Sequence, residues 1–176
     1  MNTSVPVLTI RPARASDVVA IFGMVHELAV FENLEHLVVA NAAMLREALF
    51  GANPSCEALV GTANGEAVTF ALFFHNFSTF LCQKGLYLED LYVKQDARCK
   101  GYGKQMLVAV AQLAVERHCG RFEWSVLDWN ANAIDFYESV GAVVMPDWRI
   151  CRVAGTALHH LSCMQTVKTN KPARLG

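Results

Sequence analysis

Apolar residues recur along the chain with two periods, and the places where the period changes mark its elements. Val18, Ile21, Phe22, Val25, Leu28 and Ala29 return at helical spacing, which predicts a first helix ending near Phe31. Before it, Val5 to Arg11 is a short β-type run; Pro12 closes it, and Ala15-Ser16-Asp17 reads as a helix cap. Asn41 reads as the cap of a second helix with Met44, Leu45, Ala48 and Leu49 on its inner side and Gly51 at its end. Two β-type runs follow, Cys56 to Ala63 and Glu66 to Phe77, separated by Asn64-Gly65, a dipeptide suited to the positive φ angles of a tight hairpin. Ala67 to Phe74 is apolar on both faces, so it predicts an interior strand covered from both sides.

Leu86 to Val93 is a further strand. Met106, Leu107, Val110, Leu113 and Ala114 then make an amphipathic helix that ends at Gly120. Phe122 to Leu127 reads as a strand, and Asn130 caps a helix that Gly141 closes. Val143 to Val153 reads as a strand broken by Pro146, and Ala157 to Met164 fits either strand or helix. The predicted order is β-α-α-β-β-β-α-β-α-β, an α/β fold with a mixed sheet and helices on both faces. It forms one domain over residues 1–165, with residues 166–176 as a flexible tail that has little to bury.

Composition narrows the function classes. Hydrophobic residues make up 53% of the 176, yet no apolar run approaches the roughly 20 residues of a membrane span. No basic segment followed by an apolar one opens the chain, so a cytoplasmic, membrane-free protein is expected. A formal net charge of −1 argues against a broad nucleic-acid surface. The six cysteines show no C-x-x-C pair and read as reduced, mostly buried small hydrophobes. Neither they nor the six histidines offer metal-ligand spacing, so no metal is expected.

The chemistry concentrates between Leu86 and Leu107. An apolar strand carries two adjacent carboxylates, Glu89 and Asp90, and leads into a basic turn with Arg98, Lys100 and Lys104 around Gly101 and Gly103. Helix N-termini present unpartnered N–H groups and positive partial charge, so this turn suits a pyrophosphate. Spacing separates three glycine motifs. A dinucleotide fingerprint would need Gly or Ala at Met106, and a Walker loop would need Ser or Thr at Gln105. What remains is R-x-x-G-x-G, Arg98 to Gly103. Glu32 and Glu35 follow the first helix, where the negative end of the dipole disfavours anions, so they too read as candidates to bind a cation.

Arg98-x-x-Gly101-x-Gly103 resembles the acetyl-CoA pyrophosphate motif of the GNAT N-acetyltransferase superfamily. Tyr87-Leu88-Glu89-Asp90-Leu91-Tyr92-Val93 before it, and Val126-Leu127-Asp128-Trp129-Asn130, Ala133 to Tyr137 and Gly141-Ala142 after it, resemble the spermidine/spermine N1-acetyltransferase branch and its thialysine-acetylating relatives. The resemblance implies the GNAT fold, with a mostly antiparallel sheet. It implies acetyl transfer from acetyl-CoA to a primary amine by direct attack in a ternary complex. By the same analogy Glu89 is the base and Tyr137 the acid at the departing sulfur. Leu91 and Val93 hold the pantetheine arm through their main chain; Arg98, Cys99, Lys100, Gly101, Tyr102, Gly103 and Lys104 hold the pyrophosphate; Asn130 completes the cofactor site.

Phe31, Glu32, Glu35 and Asp90 are then the amine-binding residues, and a homodimer is implied. Backbone N–H groups around Leu91 can meet a developing oxyanion only where the strand diverges from its neighbour, so a bulge or splay is expected between Glu89 and Val93. Cys99 stands where the family usually has glycine, at a position expected not to need positive φ. Phe31 stands where polyamine enzymes tend to carry tyrosine. The segment Asn76 to Gln83 lacks the carboxylate and tryptophan they offer to a long polycation. A thialysine-like or other lysine-like amino acid, or a diamine, is favoured over spermine. A protein or peptide N-acetyltransferase and a non-catalytic acyl-CoA sensor are the alternatives.

Overall fold

A computed structural model describes residues 6–164. The chain divides into two compact units, Met1–Leu127 and Asp128–Gly176. In the first, β1 (Thr9–Pro12) leads to α1 (Val18–Glu32) and α2 (Ala42–Phe50), followed by β2 (Glu57–Ala63), β3 (Glu66–Ser78), β4 (Gln83–Val93), α3 (Tyr102–Glu116) and β5 (Phe122–Trp124). The five strands form one sheet in the order β1-β2-β3-β4-β5. All neighbours are antiparallel except β4 and β5, which run parallel.

The sheet follows from the pattern. Asn64 and Gly65 both take positive φ, 52° and 83°, as the right-handed twist of a two-residue hairpin requires. On β3, Phe70, Ala71, Leu72 and Phe73 are each 9% exposed or less, because the strand lies between β2 and β4 and under helices on both faces. Ile21 and Met24 of α1 and Leu49 of α2 pack with Val60, Phe70, Leu72 and Tyr92 on one face. On the other, Gly61 leaves room for the close approach of Met106 from α3. Tyr102 anchors the start of α3: its ring is buried and its hydroxyl donates to the Pro6 carbonyl at 2.6 Å.

Several boundaries differ from the sequence reading for identifiable reasons. The side chain of Asp17 does not cap α1. It accepts from the Arg14 N–H at 2.7 Å and pairs with Arg11, tying a 3-10 turn to β1. Helix α3 stops before Gly120 because His118 turns left-handed (φ 55°) and Cys119 N–H closes back on Ala114 O at 2.9 Å. β3 and β4 also run further into their connection than expected, leaving only residues 79–82 as the turn.

In the second unit, α4 (Ala131–Ser139) begins at Asn130, whose side chain accepts from Ala133 N–H. It closes at Gly141 with Ala142 N–H on Tyr137 O at 3.0 Å. Val143 to Val153 forms no strand, contrary to expectation: Pro146 removes a donor, and Val143, Trp148 and Ile150 are 79, 72 and 71% exposed. The ambiguous segment after it is helical, α5 (Gly155–Cys163). The expected tail, 166–176, lies outside the described residues.

The cysteines are free, but none is buried as expected. Cys56 and Cys119 are half-buried, and Cys82, Cys99, Cys151 and Cys163 are exposed.

Candidate active site

The register of β3 against β4 slips at one point. Leu72 faces Asp90 but Phe73 faces Leu88, so Glu89 is the extra residue of a β-bulge. The slip reverses which side of β4 each main-chain group serves. Before it, Leu86 N–H donates toward β5, to Arg121 O at 3.0 Å; beyond β4's end, Lys94 N–H donates toward β3, to Val68 O at 2.9 Å. Bonding alternates along an antiparallel pair, so Tyr92 and Asp90 also turn to β3, and Leu91 and Val93 turn away from it. Pairing with β5 ends at Leu88 opposite Trp124. The peptide groups of Leu91 and Val93 therefore face an edge that β5 does not cover, within the stretch where a divergence was expected.

Acids gather near the bulge. Glu89 is exposed, Asp90 is half-buried, and the charges of Glu89 and of Glu32 from α1 both act on Asp90. Burial, chiefly, and then those two charges push the Asp90 carboxyl up to about 6. Glu32 is the last residue of α1, and burial raises its carboxyl too. Helix α1 ends there because Asn33 adopts the left-handed conformation (φ 59°) and Leu34 N–H closes on Ala29 O at 2.8 Å. Glu35 opens a 3-10 turn just beyond and is exposed.

The basic turn is built around the start of α3. Gly101 is its N-cap at φ 76°, no side chain caps it, and the first helical bond is Gln105 N–H to Gly101 O at 3.1 Å. The N–H groups of Tyr102, Gly103 and Lys104 precede that bond and have no acceptor within the helix. A Cβ on Gly103 would stand 3.6 Å from Val93 and 3.9 Å from Leu91, so this glycine opens the cradle toward β4. Lys104 is exposed on the first turn, while Lys100 donates to Asp96 O at 2.8 Å. These groups suit an anionic, phosphate-bearing tail lying along the Leu91–Val93 edge.

Two placements depart from expectation. Cys99 does sit at positive φ (60°), so the family's glycine there answers a backbone requirement that cysteine meets under strain. The Arg98 guanidinium lies 4.9 Å over the ring of Phe31 and 5.4 Å over that of Tyr92, and its Nε donates to Val93 O at 3.1 Å. Sequence reasoning passed over Tyr92 and Glu27. Burial, and after it the neighbouring Glu27 carboxylate, raise the Tyr92 phenol. The available signal was that Glu27 and Phe31 lie four apart on α1 and share a face. In the second unit, Tyr137 is half-buried beside Phe136, with ring centroids 5.3 Å apart.

Residues 24–142 match the model of the Acetyltransferase (GNAT) family. The chain belongs to the GNAT family. The acetyltransferase is 35% identical to L-ornithine N5-acetyltransferase NATA1 of Arabidopsis thaliana over 85% of each chain. It is also 35% identical to a thialysine N-epsilon-acetyltransferase of Mus musculus, covering 87% of this chain and 96% of that one. Among solved structures it resembles an integron cassette protein from the mobile metagenome of V. cholerae, with a TM-score of 0.75 at 23% identity over 89% and 98% of the two chains. That likeness establishes the fold. The acetyltransferase thus shares the acetyl-CoA chemistry of its family.

Proposed function

We propose that this acetyltransferase moves the acetyl group of acetyl-CoA onto a primary amine of a small cationic substrate, a lysine-like amino acid such as thialysine or ornithine, or a diamine. One observation supports the reading: at the β4 bulge the charges of Glu89 and of Glu32 both act on Asp90, next to the stretch where the Leu91–Val93 edge opens. Two relatives that share a third of its residues are named for ornithine and thialysine acetylation, in line with a short acceptor. Spermine is disfavoured by the turn at residues 79–82, which holds no acid for a distant ammonium.

An alkylammonium has a pKa near ~10.4, so freeing its lone pair at pH 7 costs roughly 5 kcal/mol, and a base is required. Glu89, exposed at the bulge, accepts that proton directly or through water, while Asp90, Glu32 and Glu35 hold the cation and Phe31 walls the site. Acetyl-CoA, when bound, supplies the thioester carbonyl that the amine attacks. The Leu91 N–H donates to the negative charge that develops on that oxygen. Tyr137 donates a hydrogen bond to the departing sulfur. Full proton transfer there is uphill by about 2 kcal/mol, so the bond forms as the sulfur leaves.

The main chain of Leu91 and Val93 holds the pantetheine arm, the turn from Arg98 to Lys104 meets the pyrophosphate, and Asn130 completes the set of cofactor-binding residues. Residues 1–165 make a single acetyltransferase domain that works in the cytoplasm. Exposed Ile150, Val153 and Leu158 suit a subunit contact in a homodimer.

Glu89→Gln tests the base. Its kcat/KM on a lysine-like amine should fall on the order of 100-fold while calorimetric CoA affinity is kept. A variant with the rate of the unaltered enzyme would remove Glu89 from the chemistry.

A further inference from the structure

Leu72 and Phe74, two apart on β3, stand opposite Asp90 and Tyr87 of β4. Leu72 packs with Ile21 and Met24, so these four side chains lie on the sheet face that α1 covers. Next to the acids of the bulge, that face carries an aromatic pair: the rings of Phe74 and Tyr87 are 5.2 Å apart and tilted by 35°. The Tyr87 hydroxyl shares a hydrogen bond of 2.7 Å with Ser125, just past β5. Beyond the pair comes a charged cluster that the proposed chemistry does not use. Asn76, two residues after Phe74, donates from Nδ2 to Glu123 Oε2 at 2.9 Å, and Arg121 Nε meets the same oxygen at 2.8 Å. Gly85 permits the cluster, because a Cβ there would run into Asn76 Oδ1 and the Arg121 side chain. Glu123 and Arg121 keep 41 and 35% of their side chains exposed, so a small molecule can reach both. Arg121 comes no nearer than 3.5 Å to Phe77 O, which leaves its guanidinium with donors for an anion.

We propose that Arg121 and Glu123 form the second pole of the acceptor site and select an α-amino acid. Arg121 takes its α-carboxylate, Glu123 takes its α-ammonium, and Phe74 and Tyr87 floor the chain whose far amine reaches Glu89 and Asp90. The proposal deepens the proposed function and rests on it for the place of the reacting amine. Glu123 stands opposite Tyr87, and Asp90 lies three residues further along β4. The two poles are thus roughly 7–10 Å apart along the strand. The side-chain nitrogen and α-carbon of a lysine-like amino acid are about 5–6 Å apart when extended, at ordinary bond lengths. A hydrogen bond of about 3 Å at each end closes the difference. A zwitterion suits this pair because each of its charges meets the opposite one, whereas a diamine brings Arg121 only a like charge.

The test compares ornithine with putrescine, the diamine left when its carboxylate is removed, as acceptors for the full chain. The unaltered protein should favour ornithine by about tenfold or more in kcat/KM, the worth of a hydrogen-bonded charge pair. In Arg121→Gln that preference should shrink to within about twofold of parity, through the KM for ornithine. Arg121→Lys should restore part of it, since the charge returns without the planar fork. Glu123→Gln should raise the KM for ornithine more than that for Nα-acetylornithine, which has no α-ammonium to lose.

A preference that survives in Arg121→Gln, with both acceptors falling together, would overturn the proposal and leave the cluster a brace between β3 and β5. So would an unaltered protein that takes putrescine as well as ornithine. If no amine is acetylated, the proposed function fails separately. Calorimetry of ornithine on the CoA-loaded protein then decides the second pole alone: binding that weakens in Arg121→Gln supports it, and no binding, or equal binding by both proteins, overturns it.

Discussion

Asp90 is where single residues and pH meet. Its carboxyl is lifted to about 6 in the folded protein against about 3.9 in an unfolded chain. Between those values the folded protein binds a proton that the unfolded chain has released, so stability falls as pH climbs from about 4 to about 6 and stays lower above it, by up to about 3 kcal/mol. Asp90→Asn removes that cost. We expect its melting temperature to exceed that of the unaltered protein at pH 8, and the difference to vanish near pH 4. The same titration governs cation binding: the amine KM should rise as pH drops through about 6, and Asp90→Asn should flatten that dependence.

Tyr137→Phe should lower kcat on the order of 100-fold and spare CoA affinity; an unchanged kcat would remove the acid role. Cys99→Gly should raise stability by about 0.5–1 kcal/mol in thermal melts, since glycine takes the left-handed backbone at φ 60° without strain, offset in part by its greater unfolded freedom. Residue types alone exposed Glu89 and Asp90 in the sequence. What they could not expose was how deeply each sits, because the residue at which the strand bulges is set by its pairing with β3, far away in sequence.

At the scale of elements, the strands and helices of the first unit were legible because their chemistry is local. The Asn41 side-chain oxygen accepts from the N–H groups of Ala43 and Met44, both at 3.0 Å, and α2 starts where expected. Asn64-Gly65 sets its hairpin by backbone preference. The unread features depend on partners distant in sequence: the end of α3 at His118, the brevity of β5, and the stacking of Arg98 on α1. Residues 143–153 misled because a β-type composition forms a strand only against a neighbour with the right register.

The start of α3 offers a sharper test of its own. A Cβ at Gly103 meets only ordinary contacts, and alanine favours helix by up to about 1 kcal/mol over glycine. Gly103→Ala should therefore melt no lower than the unaltered protein yet bind CoA more weakly, as calorimetry would register. Equal affinity would place the pyrophosphate elsewhere.

Over the whole molecule, one long bulged strand divides the labour. Before the bulge, Leu86–Leu88 pair on both sides, and beyond it the strand turns main-chain donors outward beside acids drawn from α1 and from itself. Net charge is almost neutral, so attraction of a cation is local to that acidic group rather than a property of the surface. Sedimentation of the full chain should return twice the monomer mass if the exposed apolar residues around Ile150 meet a second copy; a monomer at micromolar concentration would count against that contact.

Turnover is the most direct test of acetyl transfer to a short amine. Purified protein given acetyl-CoA and, in turn, thialysine, ornithine, a diamine, spermine and a lysine-containing peptide should release free CoA thiol fastest with the lysine-like amino acids or the diamine. Spermine and the peptide should trail by about tenfold or more in kcat/KM. Thiol release fastest with the peptide or spermine, or none with any amine, would contradict it.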